Sequence, residues 1–287
     1  MARLAEMIVY NVQMGLAIHI KAPNNKYIVI DLGTGKAEDG NESPISKLHG
    51  KNVGYMVLTH PHMDHISDIL NFHKAEPTVL THCTGLSDNE VVNLAGDDFE
   101  AYKKYNAYLG VKNRYTMSAL GSPDNPSVPT NYGGLEIQKF STDICDHNNI
   151  NNFSVITVLK LGNIKVVVCG DNETESLDIL MRQENFREAV CGAHVLVAPH
   201  HGRDSAYHTA FVNLVNPNIS IISDGKYQSF SASSKYSSAS SGAIVYDRGG
   251  NRTIRNCITT RNDGNIKVVF GESDDYRYSG TLYAELI

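Results

Sequence analysis

The chain lacks a disulfide framework, a long apolar run and an excess of positive charge, and each absence removes a class of function. Its five cysteines, Cys83, Cys145, Cys169, Cys191 and Cys257, are odd in number and show no C-x-x-C spacing. They point to reduced thiols rather than to a crosslinked secreted scaffold. Cys169, inside VVVCGD, reads as a buried core residue. No apolar run approaches the roughly 18 residues that a membrane helix needs. The start, MARLAEMIVYNVQMG, places only five residues before its first apolar segment. That segment reads as a strand and not as a signal peptide, so a cytoplasmic location and no membrane partner are expected. The formal net charge is −6, so a nucleic-acid substrate would need a local basic patch. This weighs against a protein that coats DNA, but not against an enzyme that cuts it at a metal site.

What is present suits a globular α/β protein. The 287 residues are 41% hydrophobic and 20% charged, enough for a substantial core in one large domain over 1–287. Strand signals come first as EMIVYNV, LAIHIK, KYIVIDLG and GYMVLTH, with APNNK as a turn. A helix is expected over ISDILNFHK, with Ile66, Ile69, Leu70 and His73 on one face. LEIQKF, FSVITVLKLGNIKVVVCGD, AHVLVAPHH, ISIISDG, GAIVYD and NCITTRNDGNIKVVF continue the strands, with helical ETESLDILMRQ and SAYHTAFVNLV between them. Interleaving of this kind argues for a layered α/β domain. Two stretches break the rhythm. Residues 76–132, polar and helix-leaning and then rich in Gly, Pro, Ser and Asn, read as an insertion capping the active face, with a loose surface excursion as the alternative. The Ser-rich SFSASSKYSSASSG at 229–242 reads as a loop.

The densest chemistry lies in VLTHPHMDHISD. At this histidine content H-x-H-x-D-H should arise by chance in roughly one chain in a thousand. His60 and His62 are two apart and can face one point. Asp64 and His65 come a turn later and can face a second point nearby. Imidazoles and carboxylates without thiolate suit zinc, or a harder ion such as manganese. Further donors end other strands: Asp171 after VVVCG, His200 and His201 after VLVAP, and His147 in DICDHNNINNFS. An Asp after a strand is more often a turn or cap residue, but in this order the set forms a constellation.

That constellation resembles the metallo-β-lactamase superfamily across nearly the whole chain. THPHMDH matches its signature metal motif, Gly170-Asp171 its bridging-aspartate motif, and HHG at 200–202 its late histidine motif. NVQMGLAIHI…YIVIDLG, NNFSVITVLKLGNIKVVVCGD, APHHGRDS and TTRNDGNIKVVF are similar to the competence-type branch, related to the nuclease-like domain of a DNA-uptake channel protein. The resemblance implies an αββα sandwich of two mixed β-sheets flanked by helices, with a dinuclear site at one edge. It implies His60, His62 and His147 on one metal, Asp64, His65 and His201 on the other, Asp171 bridging, and His200 beside the substrate. Two divalent ions are expected, zinc favoured and manganese the alternative.

The chain departs from the branch at Gly15-Leu16, where relatives carry Gly-Asp, and at DGKYQSFS, where they carry G-H-P. Lys226 or Tyr227 is the candidate substitute in substrate handling, against a reading as ordinary loop residues. Competence-type sequences often lack the third-motif histidine, so Asn152 or no side chain at all stands as the alternative to His147. Asp31, ending YIVID, is either a carboxylate orienting the ligands or a strand-ending turn residue. Two cations about 3.5–4 Å apart can share and activate a water, with His200 or Lys226 stabilising charge and Asp64 in the catalytic set. The expected reaction is phosphodiester hydrolysis of a nucleic acid or nucleotide. A small ester, lactone or phosphorylcholine-type substrate is the second reading, and a non-catalytic metal-stabilised binding module the third.

Overall fold

The computed structural model of the chain describes residues 3–37, 40–225, 230–273 and 280–287. Strands β1 (Leu4–Val9), β2 (Ile18–Lys21) and β3 (Tyr27–Ile30) form an antiparallel run, followed by a small hairpin of β4 (Gly35–Ala37) and β5 (Gly40–Glu42). β6 (Val53–Leu58) joins β3 in parallel and runs into the short helix α1 (Met63–Ile66). β7 (Val79–His82) adds to β6, and helices α2 (Asp88–Asn93) and α3 (Phe99–Arg114) follow. The second half contains β8 (Glu136–Phe140), β9 (Ile156–Leu161), β10 (Ile164–Val168), α4 (Thr174–Leu180), α5 (Glu184–Val190), β11 (Val195–Val197), α6 (Thr209–Val215), β12 (Ile219–Ile222) and α7 (Ser233–Ala239). β13 (Ala243–Tyr246), β14 (Arg252–Arg255), β15 (Cys257–Thr259), α8 (Thr260–Asp263), β16 (Ile266–Gly271) and β17 (Thr281–Leu286) complete the described chain.

These strands build two main sheets. One has nine strands in the order β14-β13-β17-β16-β1-β2-β3-β6-β7, the other six in the order β15-β12-β11-β10-β9-β8. Both mix parallel and antiparallel pairs. The apolar run Val166–Cys169, which ends β10, reflects burial on both faces: Val166 and Val168 point between the sheets, while Val167 and Cys169 point out under α4, α5 and α6. β11 alternates likewise, with Val195 and Val197 inward and Leu196 outward. Each such side chain contributes about 1.5–3 kcal/mol on full burial. The result is the expected αββα sandwich.

Several local expectations change. The helix expected over 66–74 is α1 followed by a 3-10 segment, Ile69–Lys74. Its buried face runs Ile66, Ile69 and Phe72 at the spacing of three that a 3-10 turn dictates. Leu70 is 52% exposed and His73 is also exposed, so neither lies on the buried face. The Ser-rich stretch is not all loop, because α7 forms within it and is held by the fully buried Tyr236 packing edge-on to Tyr207. Residues 76–132 open with β7, an edge strand of the larger sheet. Tyr105, Tyr108, Leu109 and Val111 of α3 join the main core, so this region is knitted into the domain.

Candidate metal centre

The site lies where β6, β10 and β11 end. Each strand delivers a polar side chain just past its last apolar residue. Thr59 and His60 leave β6 fully buried, and His62 caps α1 with extended backbone, so that Asp64 and His65 enter on the first helical turn. Gly170, at φ +56, turns the chain sharply after β10. A Cβ there would lie 3.0–3.1 Å from Ser154 and Thr59 Cβ atoms, so glycine is what lets Asp171 reach the centre. Gly15 serves a similar end, since a Cβ would stand 2.3 Å from the Asp64 carbonyl oxygen. Leu16, in place of an acidic residue, is buried in the core.

His200 and His201 both adopt left-handed backbone, φ/ψ 44/55 and 53/29. Such conformations cost roughly 1–3 kcal/mol each outside glycine. The His200 amide donating to Gly170 O and the His201 Nδ1 contact with Ser223 O, 2.9 Å, hold them. The kink leaves the two rings 5.9 Å apart and inclined at 66°.

The donors form two groups that share Asp171. Asp64, His65, Asp171 and His201 place their ligand atoms within 4.8 Å of one another, and His60, His62 and Asp171 do the same. His65 Nε2 lies 3.1 Å from Asp171 Oδ1, and His201 Nε2 lies 3.4 Å from Asp171 Oδ2 and 3.2 Å from Asp64 Oδ2. His60 Nε2 is 3.8 Å from Asp171 Oδ2 and 2.9 Å from His62 Nδ1. The outer nitrogens are fixed. Asp31, at φ +59, accepts from Thr59 N at 2.7 Å and Thr59 Oγ1 at 2.6 Å, and meets His65 Nδ1 at 2.7 Å. A carboxylate only accepts, so His65 Nδ1 carries a proton, and Nε2 is the nitrogen that would turn a lone pair to a bound cation.

The electrostatics follow from this crowding. Burial opposes charge on His65, but Asp171, Asp31 and Asp64 raise its pKa well above the ordinary value. Burial likewise opposes charge on His201, and Asp171 and Asp64 overcome it, lifting the group to about 10. Burial would raise Asp171, yet His201 and His65 hold it well below the usual carboxylate range. Burial and the neighbouring His65 push His60 well down.

A divalent cation fits these residues. His65 Nε2 and His201 Nε2 are buried and make no hydrogen bond of good geometry, although carboxylate oxygens stand close by. Leaving such atoms unsatisfied costs about 1–3 kcal/mol each. Ions placed between nitrogens and carboxylates would satisfy them, and the nitrogen and oxygen donor sets suit zinc or manganese.

Not every expected residue converges. His147 stands apart: its side chain is 51% exposed, its Nδ1 lies 2.5 Å from Glu90 Oε1 on α2, and its ring packs on Phe153. Asn152, the alternative, is committed to structure, donating to Glu175 Oε2 and accepting from Glu173 N and Ser176 Oγ. His200 points Nε2 to within 3.8 Å of Asp171 Oδ2 and sets Nδ1 2.7 Å from Glu173 Oε1. Lys226 and Tyr227 lie outside the described residues. Sequence reading passed over Glu173 and Asn151. Their only signals were an acid two places after Asp171 and a run of asparagines before β9.

The model of the Metallo-beta-lactamase superfamily matches residues 11–223. No curated protein matches the chain. Among solved structures it is similar to the metallo-beta-lactamase fold protein YhfI from Bacillus subtilis, at 14% identity and TM-score 0.43, covering 78% of this chain and 88% of that one. It is also similar to a putative Zn-dependent hydrolase of the superfamily from Thermotoga maritima, at 11% identity and TM-score 0.42, covering 88% and 97%. A long form RNase Z from yeast aligns at 10% identity and TM-score 0.39, covering 79% of this chain and 38% of that chain. With the family model spanning 11–223 and the donors gathered at the strand ends, the chain belongs to the metallo-beta-lactamase superfamily of metal-dependent hydrolases.

Proposed function

We propose that the protein is a dinuclear phosphodiesterase or nuclease of the competence-type branch, acting on a nucleic acid or nucleotide. The observation that carries this reading is Asp171, a buried carboxylate common to two donor groups, as expected of a bridge between two ions. Zinc is the favoured ion and manganese the alternative. When bound, the pair would activate a shared water and neutralise charge developing on a phosphoryl oxygen.

The chain's own residues do the rest. Asp171 sets the spacing of the two positions, and Asp31 and Ser223 O fix the rings of His65 and His201. Asp64, whose side chain is 32% exposed, is the donor of its group most open to the cleft. Although burial opposes its charge, His65 and His201 hold its carboxyl well below the usual range, so it would orient an attacking water as an acceptor. His200, steadied by Glu173, is placed to hold an anionic substrate oxygen. Residues 76–132 would border this cleft. α3 packs against α1, and the hydroxyl of its Tyr105, pushed to about 12 by burial, also feels Asp64. Segment 230–232 adjoins the same edge, where Asp204 N donates to Phe230 O and Ala232 N to Gly202 O. Lys226 is proposed as a further group for the substrate's charge.

The test is hydrolysis of bis(p-nitrophenyl) phosphate, single-stranded DNA and a cyclic dinucleotide, each with zinc and with manganese, alongside a lactone and a carboxylate ester. Turnover of phosphodiesters is expected. Turnover of the lactone or ester alone would replace the reading with small-ester hydrolysis, and metal uptake without turnover of any substrate would leave a binding module.

A further inference from the structure

The two donor groups are unequal. Among the described residues, Asp64, His65, Asp171 and His201 offer four ligand atoms to one position, whereas His60, His62 and Asp171 offer three to the other. The histidine expected to complete the second set is turned away towards Glu90. Another side chain occupies the gap. Asn151 sits on the 3-10 turn Ile150–Phe153 and is 8% exposed. Its side chain contacts that of His62.

The orientation of the amide follows from its partner. Asn151 Nδ2 donates to Glu173 Oε1 at 3.1 Å. A carboxylate cannot donate, so the nitrogen must face Glu173 and the oxygen must face away from it, beside His62. Asn151 Oδ1 is buried there without a hydrogen bond. The turn that carries it is anchored to the centre at two points, with Val155 N donating to Thr59 O and Asp171 N to Ser154 Oγ. An orphaned amide oxygen, held rigidly beside a three-ligand set, is what a fourth ligand looks like before its ion is bound.

We infer that Asn151 Oδ1 completes the His60/His62/Asp171 position, giving the protein one strong and one weaker metal position. This rests on the dinuclear reading above. Two imidazoles, one shared carboxylate and a neutral amide oxygen supply less charge than the neighbouring set with its second carboxylate, Asp64. An amide oxygen is also a harder donor than imidazole. The weaker position therefore discriminates less against manganese, and the two ions enter in sequence.

The experiment is calorimetric titration of chelator-stripped protein with Zn2+ and with Mn2+, with bound metal counted by elemental analysis. Wild type is expected to show two steps separated by at least about 10-fold in affinity. Asn151→Ala should weaken the second step by a further 10-fold or more and leave the first unchanged. Asn151→His should tighten the second step for zinc and bring the two steps together. If the alanine variant fails to fold, Asn151→Asp, which keeps an oxygen in place, should retain both steps. Loss of the second step in that folded variant overturns the assignment. Two steps indifferent to Asn151→Ala overturn the inference while leaving the dinuclear reading intact. A wild type that accepts one ion and no more overturns both.

Discussion

His65 Nδ1 stands 2.7 Å from Asp31 Oδ2, with both side chains sealed from solvent. The pair decides which nitrogen of His65 faces the centre. Asp31→Asn is the sparing test, because asparagine tolerates the left-handed backbone this position requires. The amide cannot reproduce the carboxylate's acceptance from both Thr59 and His65. Metal affinity should fall by about 10–100-fold, read by competition with a chromophoric chelator.

Asp171→Ala removes a ligand from both groups at once. Elemental analysis should show at least one of the two ions lost. The core should survive, because the buried valines and leucine of β10 and β11 do not depend on this side chain. A metal content equal to that of wild type would contradict the bridging role.

The adjacent histidines should separate by phenotype. His201→Ala takes away an inward Nε2 shared with Asp64 and Asp171, so metal content and rate should fall together. His200→Ala should keep both ions and slow turnover of an anionic substrate by about 10²-fold. Reversal of the two phenotypes would reverse the assignment.

His19 provides a pH signature away from the centre. It is 4% exposed on β2, edge-on to Tyr10, and burial followed by Lys47 lowers its pKa to about 3. The folded state keeps it neutral while the unfolded chain takes up a proton below about 6.5. Its contribution is therefore full above the unfolded value and is lost as pH falls towards the folded one, amounting to about 2 kcal/mol between pH 6.5 and 5. His19→Phe should lose less stability than wild type over that interval, measured by denaturant unfolding of metal-free protein. Equal losses would show that His19 does not report the acid sensitivity.

The architecture was legible because two-sided burial writes itself as unbroken apolar strings such as VVVC and VLVA. Elements whose cause is tertiary were not. β14 is almost wholly exposed and pairs only at the sheet edge, so RTIR carries no strand pattern. α7 exists because Tyr236 is buried, which no count of serines reveals. The H-x-H-x-D-H cluster announced a metal centre because its donors are close in sequence. Asn151 and Glu173 are brought to that centre only by folding, and His147 is taken from it by Glu90, a partner 57 residues away.

The donors are split between the layers: His60 through His65 follow a strand of the nine-stranded sheet, while Asp171 and His201 follow strands of the six-stranded one. An ion held by these residues would be a clasp, joining the two layers at the edge where those strands end, across more than a hundred residues of chain. Any ligand held only by the folded form adds stability in step with its concentration, about 2.7 kcal/mol at a hundredfold excess over its dissociation constant. If the centre fills as proposed, the supply of metal would set how firmly the two layers stay shut, and a chain starved of it would loosen along the edge that holds the centre.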